Sequence, residues 1–309
     1  MCSIPALLHT IPVREYVERL RIDRANPMEL EGYEIVYSLT DDKPADLVRA
    51  FQETAILKTR IKLKRCTLPS FWDVWHDPQS GLATDIFHQS DPHEAKWALS
   101  RKYGYKLATT FMPTYAKSIY EYFGAKHVLD PCAGWGDRLV GAVTASCVET
   151  YVGFDPNREL IPGYVNIMAQ FGHTDELPKL ANVRFNNGFD VYSMPFERGI
   201  VEFPDESFDF AFTSPPYFDY EEYSPSNPKY RDWIRDFYTP LFRETARVLQ
   251  KGCVFAIHIG DTSAGQIGEF LKTVDQICDL RYRGKIGLVG AQSNKVRDVH
   301  LFVKTGEST

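Results

Sequence analysis

The fold is decided by the stretch Val128-Leu129-Asp130-Pro131-Cys132-Ala133-Gly134-Trp135-Gly136-Asp137-Arg138. An apolar run ends in the carboxylate of Asp130, and a turn containing two glycines then leads into an amphipathic stretch. Glycine lets the backbone turn sharply and approach a ligand without a side chain in the way. In open α/β sheets, ligands bind at such turns, beyond the carboxyl ends of the strands. The stretch therefore predicts a strand, a ligand-binding turn and a helix.

The same alternation continues on both sides of this stretch. From about residue 106, strand-like runs alternate with helix-like stretches, which predicts a doubly wound, mostly parallel α/β sheet. The predicted strands are His127–Asp130, Tyr151–Phe154, Val183–Phe185, Phe208–Thr213, Val254–Ile259, Tyr282–Val289 and Val299–Val303. The predicted helices are Pro113–Phe123, Arg138–Cys147, Glu159–Phe171, Tyr230–Gln250 and Gly265–Cys278. The last two strands have no helix between them, so we expect an antiparallel hairpin that ends a seven-stranded sheet. Residues 1–105 form a separate α+β segment in this prediction.

Length and composition narrow the class of protein. The chain has 309 residues, 44% hydrophobic residues and a formal net charge of -6, which is typical of a globular protein. It contains no run of about 18 apolar residues that would predict a membrane span. The first residues lack the pattern of a signal peptide. The six scattered cysteines fit reduced thiols. We therefore expect a soluble intracellular protein.

One basic cluster stands out against the acidic net charge. Residues 43–65 contain seven basic and two acidic side chains. Within them, residues 58–65 alternate basic and non-basic positions, as a strand with one basic face would. Lysines of this kind can protect a sheet edge from aggregation, or they can contact phosphates. On the second interpretation the candidate substrate-binding residues are Lys58, Arg60, Lys62, Lys64 and Arg65.

A histidine- and aspartate-rich stretch follows the basic cluster. It contains His76, His88 and His93 among several aspartates. Their spacings match no metal-ligand pattern, and turn-forming pairs such as Asp-Pro favour loops and helix caps. We therefore predict no metal site.

A second strand also ends in a carboxylate. Residues 151–157 read Tyr-Val-Gly-Phe-Asp-Pro-Asn, which places Asp155 and Pro156 at a strand end about twenty residues after the glycine turn. An acidic residue there is well placed to bind the hydroxyls of a ribose. The alternative is a helix N-cap, which Asp155 or Asn157 could provide.

The third motif follows the predicted strand Phe208–Thr213 and reads Ser214-Pro215-Pro216-Tyr217. Two consecutive prolines fix the backbone and remove two N–H donors, while their carbonyls remain as acceptors. Ser214 adds a hydroxyl and Tyr217 an aromatic face. The set suits a planar ring with an exocyclic amino group, whose hydrogens would meet the serine oxygen and a proline carbonyl.

The Asp130-Pro-x-Ala-Gly-x-Gly136 and Ser214-Pro-Pro-Tyr217 motifs together resemble those of the S-adenosylmethionine-dependent amino-methyltransferases of nucleic acids. The Ser-Pro-Pro-Tyr form is similar to that of the cytosine-N4 DNA methyltransferases. The resemblance covers roughly residues 106–305 and implies the Rossmann-like class I methyltransferase fold. It implies S-adenosylmethionine as cofactor, no metal, and DNA as the favoured partner, with a protein partner or a homodimer also possible. It implies no contact with membranes.

The resemblance also assigns site residues. Those implied for the cofactor are Phe111, Pro113, Asp130, Pro131, Cys132, Ala133, Gly134, Gly136, Asp155, Pro156, Asn187, Asp190 and Thr213. Those implied for catalysis are Ser214, Pro215, Pro216 and Tyr217. The aromatic segment that follows adds Phe218 and Tyr220 as candidates to wall the substrate pocket or stack on neighbouring bases, with ordinary packing of a surface loop as the alternative. Direct displacement needs no covalent nucleophile, so Cys132 is interpreted as part of the loop packing.

Two alternatives stay open. The family often carries a separate target-recognition domain, and only residues 1–105 are candidates for one here. That departure and the acidic net charge favour RNA, a nucleotide or another small amine as acceptor. The chain could instead be a methyltransferase-like subunit that has lost catalysis. The intact glycines and the intact Ser-Pro-Pro-Tyr motif argue against that second alternative.

Overall fold

The computed structural model describes residues 11–41, 43–63, 66–67, 69–77, 108, 110–173, 182–185, 188–216, 221–222, 232–260, 266–291 and 295–306. The strands in this part of the chain are β1 (Asn26–Met28), β2 (Ile35–Ser38), β3 (Arg60–Leu63), β4 (Cys66–Thr67), β5 (His127–Asp130), β6 (Thr150–Phe154), β7 (Asn182–Phe185), β8 (Phe189–Tyr192), β9 (Phe208–Thr213), β10 (Glu221–Glu222), β11 (Leu249–His258), β12 (Leu280–Val289) and β13 (Val296–Lys304). The α-helices are α1 (Val13–Ile22), α2 (Asp46–Phe51), α3 (Glu53–Lys58), α4 (Phe71–His76), α5 (Pro113–Phe123), α6 (Asp137–Thr144), α7 (Ile161–Gln170), α8 (Phe196–Gly199), α9 (Thr239–Val248) and α10 (Gln266–Leu271).

Ten strands form the main sheet, in the order β1-β2-β12-β13-β11-β9-β5-β6-β8-β7. The five adjacent strands β8, β6, β5, β9 and β11 are parallel to one another. Strand β13 is antiparallel to both β11 and β12. The predicted mostly parallel sheet with an antiparallel hairpin is therefore confirmed, and β1, β2 and β8 are strands beyond the seven predicted.

The hairpin does not end the sheet. Strand β13 lies between β11 and β12, and β2 then pairs in parallel with β12. The short apolar run Ile35-Val36-Tyr37 covers an edge that would otherwise present unpaired backbone groups. The N-terminal part of the chain therefore contributes to the same sheet as the predicted catalytic part.

The third parallel strand differs from the prediction. Residues 182–185 pair antiparallel with Phe189–Tyr192, and it is this second segment that lies parallel to β6. Gly188, with φ of +83°, makes the chain reversal between them possible. The alternating pattern alone cannot tell which of two adjacent strands joins the parallel sheet.

Helices cover both faces of the sheet. One apolar cluster lies under α1, α2, α5, α6 and α7. The other lies under α8, α9 and α10. The helix predicted over Tyr230–Gln250 is shorter, with a π-helical stretch over Ile234–Tyr238 before α9. The one predicted over Gly265–Cys278 divides into α10 and a 3-10 turn over Val274–Gln276.

A buried lysine attaches the N-terminal helix to the rest of the molecule. Lys117 of α5 is 1% exposed, and its Nζ donates to the carbonyls of Leu20 and Arg21 at the end of α1, at 3.1 and 2.5 Å. A cation at a helix C-terminus satisfies carbonyls that the helix leaves unpaired. The backbone N–H of Ala25 donates to Ser118 Oγ at 2.9 Å.

Residues 78–107 lie outside the described ranges, so the domain division near residue 105 stays a prediction.

A second, smaller sheet contains β10, β3 and β4 in that order. It corrects the strand predicted over residues 58–65, because Lys58 ends α3 and the strand begins only at Arg60. The consecutive residues Ala55, Ile56 and Leu57 are all buried in α3, and their burial outweighs the alternation of charges. No helix in the described ranges is long and apolar enough to cross a membrane.

Candidate functional site

Four strand ends meet at one edge of the main sheet. Strand β5 ends at Asp130 and lies between β6 and β9, while β11 lies beside β9. The register pairs Ile257 of β11 with Thr213 of β9. The parallel strands therefore bring Asp130, Asp155, Ser214 and His258 to the same edge, which is where open α/β sheets bind ligands.

Asp130 is the centre of a buried hydrogen-bond network. Its carboxylate is 0% exposed and accepts from Arg138 Nε at 2.8 Å, Tyr151 Oη at 2.7 Å and Thr213 Oγ1 at 2.9 Å. We call these four residues the Asp130 network. The sequence predicted Asp130 and Thr213 as cofactor-binding, and the structure gives both an internal role in joining β5, β6, β9 and α6.

The glycine turn is fixed by the same network. The backbone N–H of Cys132 donates to Thr213 Oγ1 at 3.0 Å and to Asp130 Oδ1 at 3.2 Å. Arg138 donates to the carbonyl of Cys132, and Tyr164 donates to that of Gly134. Burial raises the pKa of the Cys132 thiol well above its ordinary value. The thiol is therefore protonated and packs in the turn, which fits the interpretation of Cys132 as loop packing.

Close packing explains the glycines of the turn and of the strand beneath it. Gly134 and Gly136 have φ of +57° and +98°, where other residues are strained. A Cβ on Gly136 would lie 3.3 Å from the Tyr164 ring. A Cβ on Gly153 of β6 would lie 3.0 Å from Ala133 Cβ. The turn, with buried Pro131 at its start, therefore lies directly on the end of β6, where Ala133 N–H donates to the Phe154 carbonyl at 2.8 Å.

Asp155 lies beside the glycine turn. Its two carboxylate oxygens accept from the backbone N–H groups of Gly134 at 3.0 Å and Asn157 at 2.9 Å. Burial raises its pKa to about 7. Asn157 Oδ1 accepts from Glu159 N–H at 3.1 Å and caps the following turn, which was the alternative role predicted for this segment. Pro156 lies between Asp155 and the capping residue Asn157. Because each carboxylate oxygen of Asp155 accepts only one of these hydrogen bonds, lone pairs remain for a ligand.

Two further polar atoms near the turn are buried without a hydrogen-bond partner among the described residues. They are Asp137 Oδ1 and Asn157 Nδ2. Asp137 begins α6, is 2% exposed, and has its pKa raised to about 7 by burial despite the nearby Arg49 and Arg138. Sequence reasoning missed Asp137, although an acidic residue directly after Gly136 was a visible signal. Unpaired buried polar atoms are costly, and a bound ligand can satisfy them.

The Ser-Pro-Pro segment leaves β9 beside the Asp130 network. Ser214 and Pro216 are half-buried and Pro215 is buried. Tyr238 Oη donates to the carbonyl of Pro216 at 3.2 Å and holds the segment against the π-helical stretch. Of the two proline carbonyls, Pro216 thus has an internal partner. Tyr217, Phe218 and Tyr220 lie outside the described residues.

His258, which sequence reasoning missed, completes this part of the site. It ends β11, is 8% exposed, and its Nδ1 lies 3.2 Å from Ser214 Oγ. Burial, with Arg297, Arg138 and His300 nearby, lowers the pKa of the imidazole to about 3. The sequence does show a histidine at the carboxyl end of the predicted strand that follows β9. Its position opposite Ser214 depends on the register between β9 and β11, which the sequence does not show.

Phe111 lies between the two halves of the site. Its ring packs edge-on against His258 at 5.3 Å and Phe212 at 5.5 Å between centroids, and the Arg138 guanidinium lies 5.8 Å from it. Pro113, two residues later, is the first residue of α5 and fixes where that helix begins. The segment predicted to lie near the cofactor therefore contacts both the Ser214–His258 pair and the Asp130 network.

The remaining predicted cofactor residues are Asn187 and Asp190. Asn187 lies outside the described residues. Asp190 lies inside β8, which follows β7 after the chain reversal at Gly188, two residues before β8 ends at Tyr192.

The described residues of the basic cluster have acidic partners. Lys58 Nζ lies 3.3 Å from Glu159 and 5.2 Å from the centroid of the Trp72 ring. Arg60 donates twice to Asp73 Oδ2, at 3.0 and 2.9 Å. The side chain of Lys62, and all of Lys64 and Arg65, lie outside the description. The part of the cluster that the structure describes is therefore largely neutralised within the molecule.

The described side chains include no group of three His, Cys, Asp or Glu residues that could hold a metal ion.

Comparisons with known proteins find similar folds at low identity. Cofactor-bound Rv0187 from MTB is 13% identical with a TM-score of 0.44, over 75% of this chain and 100% of that one. The O-methyltransferase TomG from Streptomyces achromogenes, in complex with SAM, is 12% identical with a TM-score of 0.42, over 72% and 96%. A SAM-dependent O-methyltransferase from Thermotoga maritima is 13% identical with a TM-score of 0.41, over 68% and 72%.

No protein-family model and no curated protein sequence matches the chain. The strand order and directions themselves define a mostly parallel, Rossmann-like α/β sheet.

We predict that the Asp130 network contributes strongly to stability. Asp130→Ala leaves the Arg138 guanidinium buried without its counter-ion, so the free energy of unfolding should fall by about 3–5 kcal/mol. The matched control is Asp205→Ala, which removes an exposed partner of Arg247 at 2.7 Å and should cost about 0–1 kcal/mol. Urea denaturation followed by tryptophan fluorescence measures both. Equal losses in the two variants would contradict the central position of Asp130.

Proposed function

We propose that the protein is an S-adenosylmethionine-dependent N-methyltransferase that acts on an exocyclic amino group. The observation that carries the proposal is the Asp130 network. It fixes the glycine turn and the start of the Ser-Pro-Pro segment through a single carboxylate. A cofactor on the turn and an amine on Ser214 would therefore be held next to each other.

The residues around the turn fit this cofactor. Asp155 keeps accepting lone pairs for the ribose hydroxyls, and the backbone at Gly134 has no side chain that would block a ligand. The unpaired Asp137 Oδ1 and Asn157 Nδ2 offer an acceptor and a donor for polar groups of a ligand. When bound, the cofactor would supply an electrophilic methyl group on a sulfonium. The Phe111 ring is one aromatic face available for such a cation.

The catalytic contribution of the chain is positioning. An exocyclic amine on an aromatic ring is a poor nucleophile because its lone pair is delocalised into the ring. If Ser214 Oγ and the Pro215 carbonyl accept its two hydrogens, the lone pair is directed away from the ring plane. Holding reactants in such an orientation can lower a barrier by about 7–11 kcal/mol. Tyr217 is proposed to stack on the ring.

For the substrate we propose cytosine N4 in DNA, supported by the Ser-Pro-Pro-Tyr form of the motif. A base in a duplex would have to be flipped out to reach Ser214. The N-terminal segment is the proposed recognition region. Its strand β3 pairs with β10, five residues beyond Pro216, in the register Ile61–Glu221 and Arg60–Glu222. The segment thereby reaches the chain that follows the catalytic motif, where Phe218 and Tyr220 are proposed to contact the substrate.

A second candidate is RNA, a nucleotide or another small amine as acceptor. It is favoured by the ion pairs of Lys58 and Arg60 with Glu159 and Asp73, and by the net charge of -6. Both reduce the positive charge available to a long polyanion, so they favour a nucleotide or a small amine most directly, and RNA only if the contacted stretch is short. Contacts with phosphate would then be few and local, made by Lys62, Lys64 and Arg65.

We predict that cofactor binding depends on the ionisation of Asp155. Its pKa of about 7 in the free protein leaves it mostly protonated at pH 6 and mostly ionised at pH 8. The carboxylate accepts two hydroxyl hydrogens where the neutral acid accepts fewer, so S-adenosylhomocysteine should bind more tightly as the pH rises through this range. Asp155→Asn should weaken binding at pH 8 about tenfold or more and flatten the profile. Calorimetry at four pH values measures this.

The matched control for that experiment is Asp137→Asn. Asp137 also has a pKa of about 7, so any part of the profile that it contributes disappears in its own variant. Asp190→Asn, measured at pH 8, tests the third acidic residue assigned to the cofactor. A profile that keeps its wild-type slope in Asp155→Asn would show that Asp155 does not bind the ribose.

We predict that the protein transfers a methyl group to cytosine N4 and that Ser214 is required. Labelled S-adenosylmethionine is incubated with DNA, and in parallel with RNA and with free nucleotides, followed by nucleoside mass analysis. Ser214→Ala and Tyr217→Ala should lower turnover at least about tenfold while the cofactor still binds. Methylated RNA or nucleotide with unmodified DNA would select the second candidate. Absence of cofactor binding would instead favour an inactive, methyltransferase-like subunit.

A further inference from the structure

The Ser214–His258 pair lies at the junction of two neighbouring strand ends. Thr213 and Ile257 are aligned partners in β9 and β11, so Ser214 and His258 follow at the next position of each strand. The two side chains approach to 3.2 Å between Oγ and Nδ1. The Phe111 ring packs edge-on against the imidazole, with 5.3 Å between the ring centroids. Ser214 is the first residue after β9 and His258 is the last residue of β11, so two aligned strand ends position the pair.

A serine hydroxyl has one hydrogen and two lone pairs, and a neutral imidazole has one accepting and one donating nitrogen. Only two arrangements are possible at this distance. Either the serine donates to Nδ1, or Nδ1–H donates to the serine. In the described ranges, no other atom lies in hydrogen-bonding position to Ser214 Oγ. In the second arrangement the hydroxyl hydrogen would have no acceptor among the described residues, and the half-buried serine would have to donate it to solvent.

The surroundings keep the imidazole neutral. Burial is the largest cause of its low pKa, and Arg138 of α6 together with Arg297 and His300 of β13 act in the same direction. Asp298 opposes them, but it is already paired with Lys285 at 3.0 Å and Tyr33 at 2.8 Å. A neutral ring keeps one nitrogen free to accept a hydrogen bond at any pH at which the protein would work.

We infer that His258 is a positioning residue for Ser214, whose hydroxyl hydrogen it accepts at Nδ1. The serine lone pairs are then directed toward the amine, and one N–H of the amine donates to one of them while its other N–H is left for the Pro215 carbonyl. Without His258 the hydroxyl hydrogen is free to point at the amine, which also presents hydrogens, and the two would repel. This inference rests on the proposed function for its consequence in catalysis, but the direction of the hydrogen bond can be tested without any substrate.

The first test is nitrogen-15 NMR of the imidazoles in the full chain. The His258 resonances are identified by their loss in His258→Asn. We expect the neutral tautomer with hydrogen on Nε2, an unprotonated Nδ1, and a shift of the Nδ1 resonance in Ser214→Ala. A hydrogen on Nδ1, or no change in Ser214→Ala, would overturn the inference. This result does not depend on whether the protein transfers methyl groups.

The second test compares His258→Leu and His258→Asn, each with Ser214 present and with Ser214→Ala. Asparagine can place an amide oxygen near the position of Nδ1, whereas leucine cannot accept a hydrogen bond. We expect His258→Leu to lower kcat about 5- to 100-fold with the cofactor dissociation constant unchanged, and His258→Asn to recover most of the loss. In the Ser214→Ala background neither substitution should lower kcat further.

Two outcomes would overturn the inference while leaving the proposed function intact. One is an equal loss from His258→Leu with and without Ser214, which would indicate that the imidazole acts only through packing on Phe111. The other is a His258→Asn variant that folds and binds the cofactor but is as slow as His258→Leu. A wild-type protein that neither binds S-adenosylmethionine nor transfers methyl groups would overturn the proposed function itself, and the NMR result would still decide the direction of the hydrogen bond.

Discussion

The structure depends on one buried carboxylate. The carboxylate of Asp130, at the end of β5, accepts hydrogen bonds from the guanidinium of Arg138, the phenol of Tyr151 and the hydroxyl of Thr213. These three partners belong to three other elements, α6, β6 and β9. A buried charge is tolerated only when it is paired and fully hydrogen-bonded, so each partner is fixed as firmly as the carboxylate. The position of the glycine turn relative to the Ser-Pro-Pro segment follows from this requirement, because Cys132 N–H bonds to both Asp130 and Thr213.

The N-terminal part of the chain is built around the same edge. Gln52 Nε2 donates to the Leu160 carbonyl at 3.2 Å, and a Cβ on Gly163 of α7 would overlap the Gln52 side chain, so α2 and α7 pack closely. Arg49 of α2 donates to Thr110 Oγ1 at 3.0 Å, next to Phe111. Strand β3 then pairs with β10 beyond the catalytic motif. The N-terminal segment therefore contacts the surroundings of both the glycine turn and the Ser-Pro-Pro segment, which fits the recognition role proposed for it.

Much of the fold and half of the site could be predicted because their signals are local. The glycine turn, the carboxylates Asp130 and Asp155 and the Ser-Pro-Pro segment each follow an apolar strand, and a parallel sheet gathers such ends at one edge. His258 could not be predicted, because its partner is set by the register between β9 and β11, which no local pattern records. The hydrogen bonds of Asp130 with Tyr151 and Thr213 could not be predicted either, because both partners fit the pattern of ordinary strand residues. The alternating charges predicted a strand at Lys58, because the short apolar run Ala55-Ile56-Leu57 is too brief to indicate a helix from the sequence alone.

The most direct measurement of the central claim is a crystal structure of the protein with S-adenosylhomocysteine. We predict that the ribose hydroxyls lie within hydrogen-bonding distance of Asp155, that the homocysteine lies along the glycine turn, and that its sulfur faces Ser214. We also predict that Asp130 keeps its hydrogen bonds to Arg138, Tyr151 and Thr213. Ligand bound away from the turn, or a turn that breaks from Asp130 to admit it, would contradict the claim that this carboxylate holds the cofactor site and the amine site together.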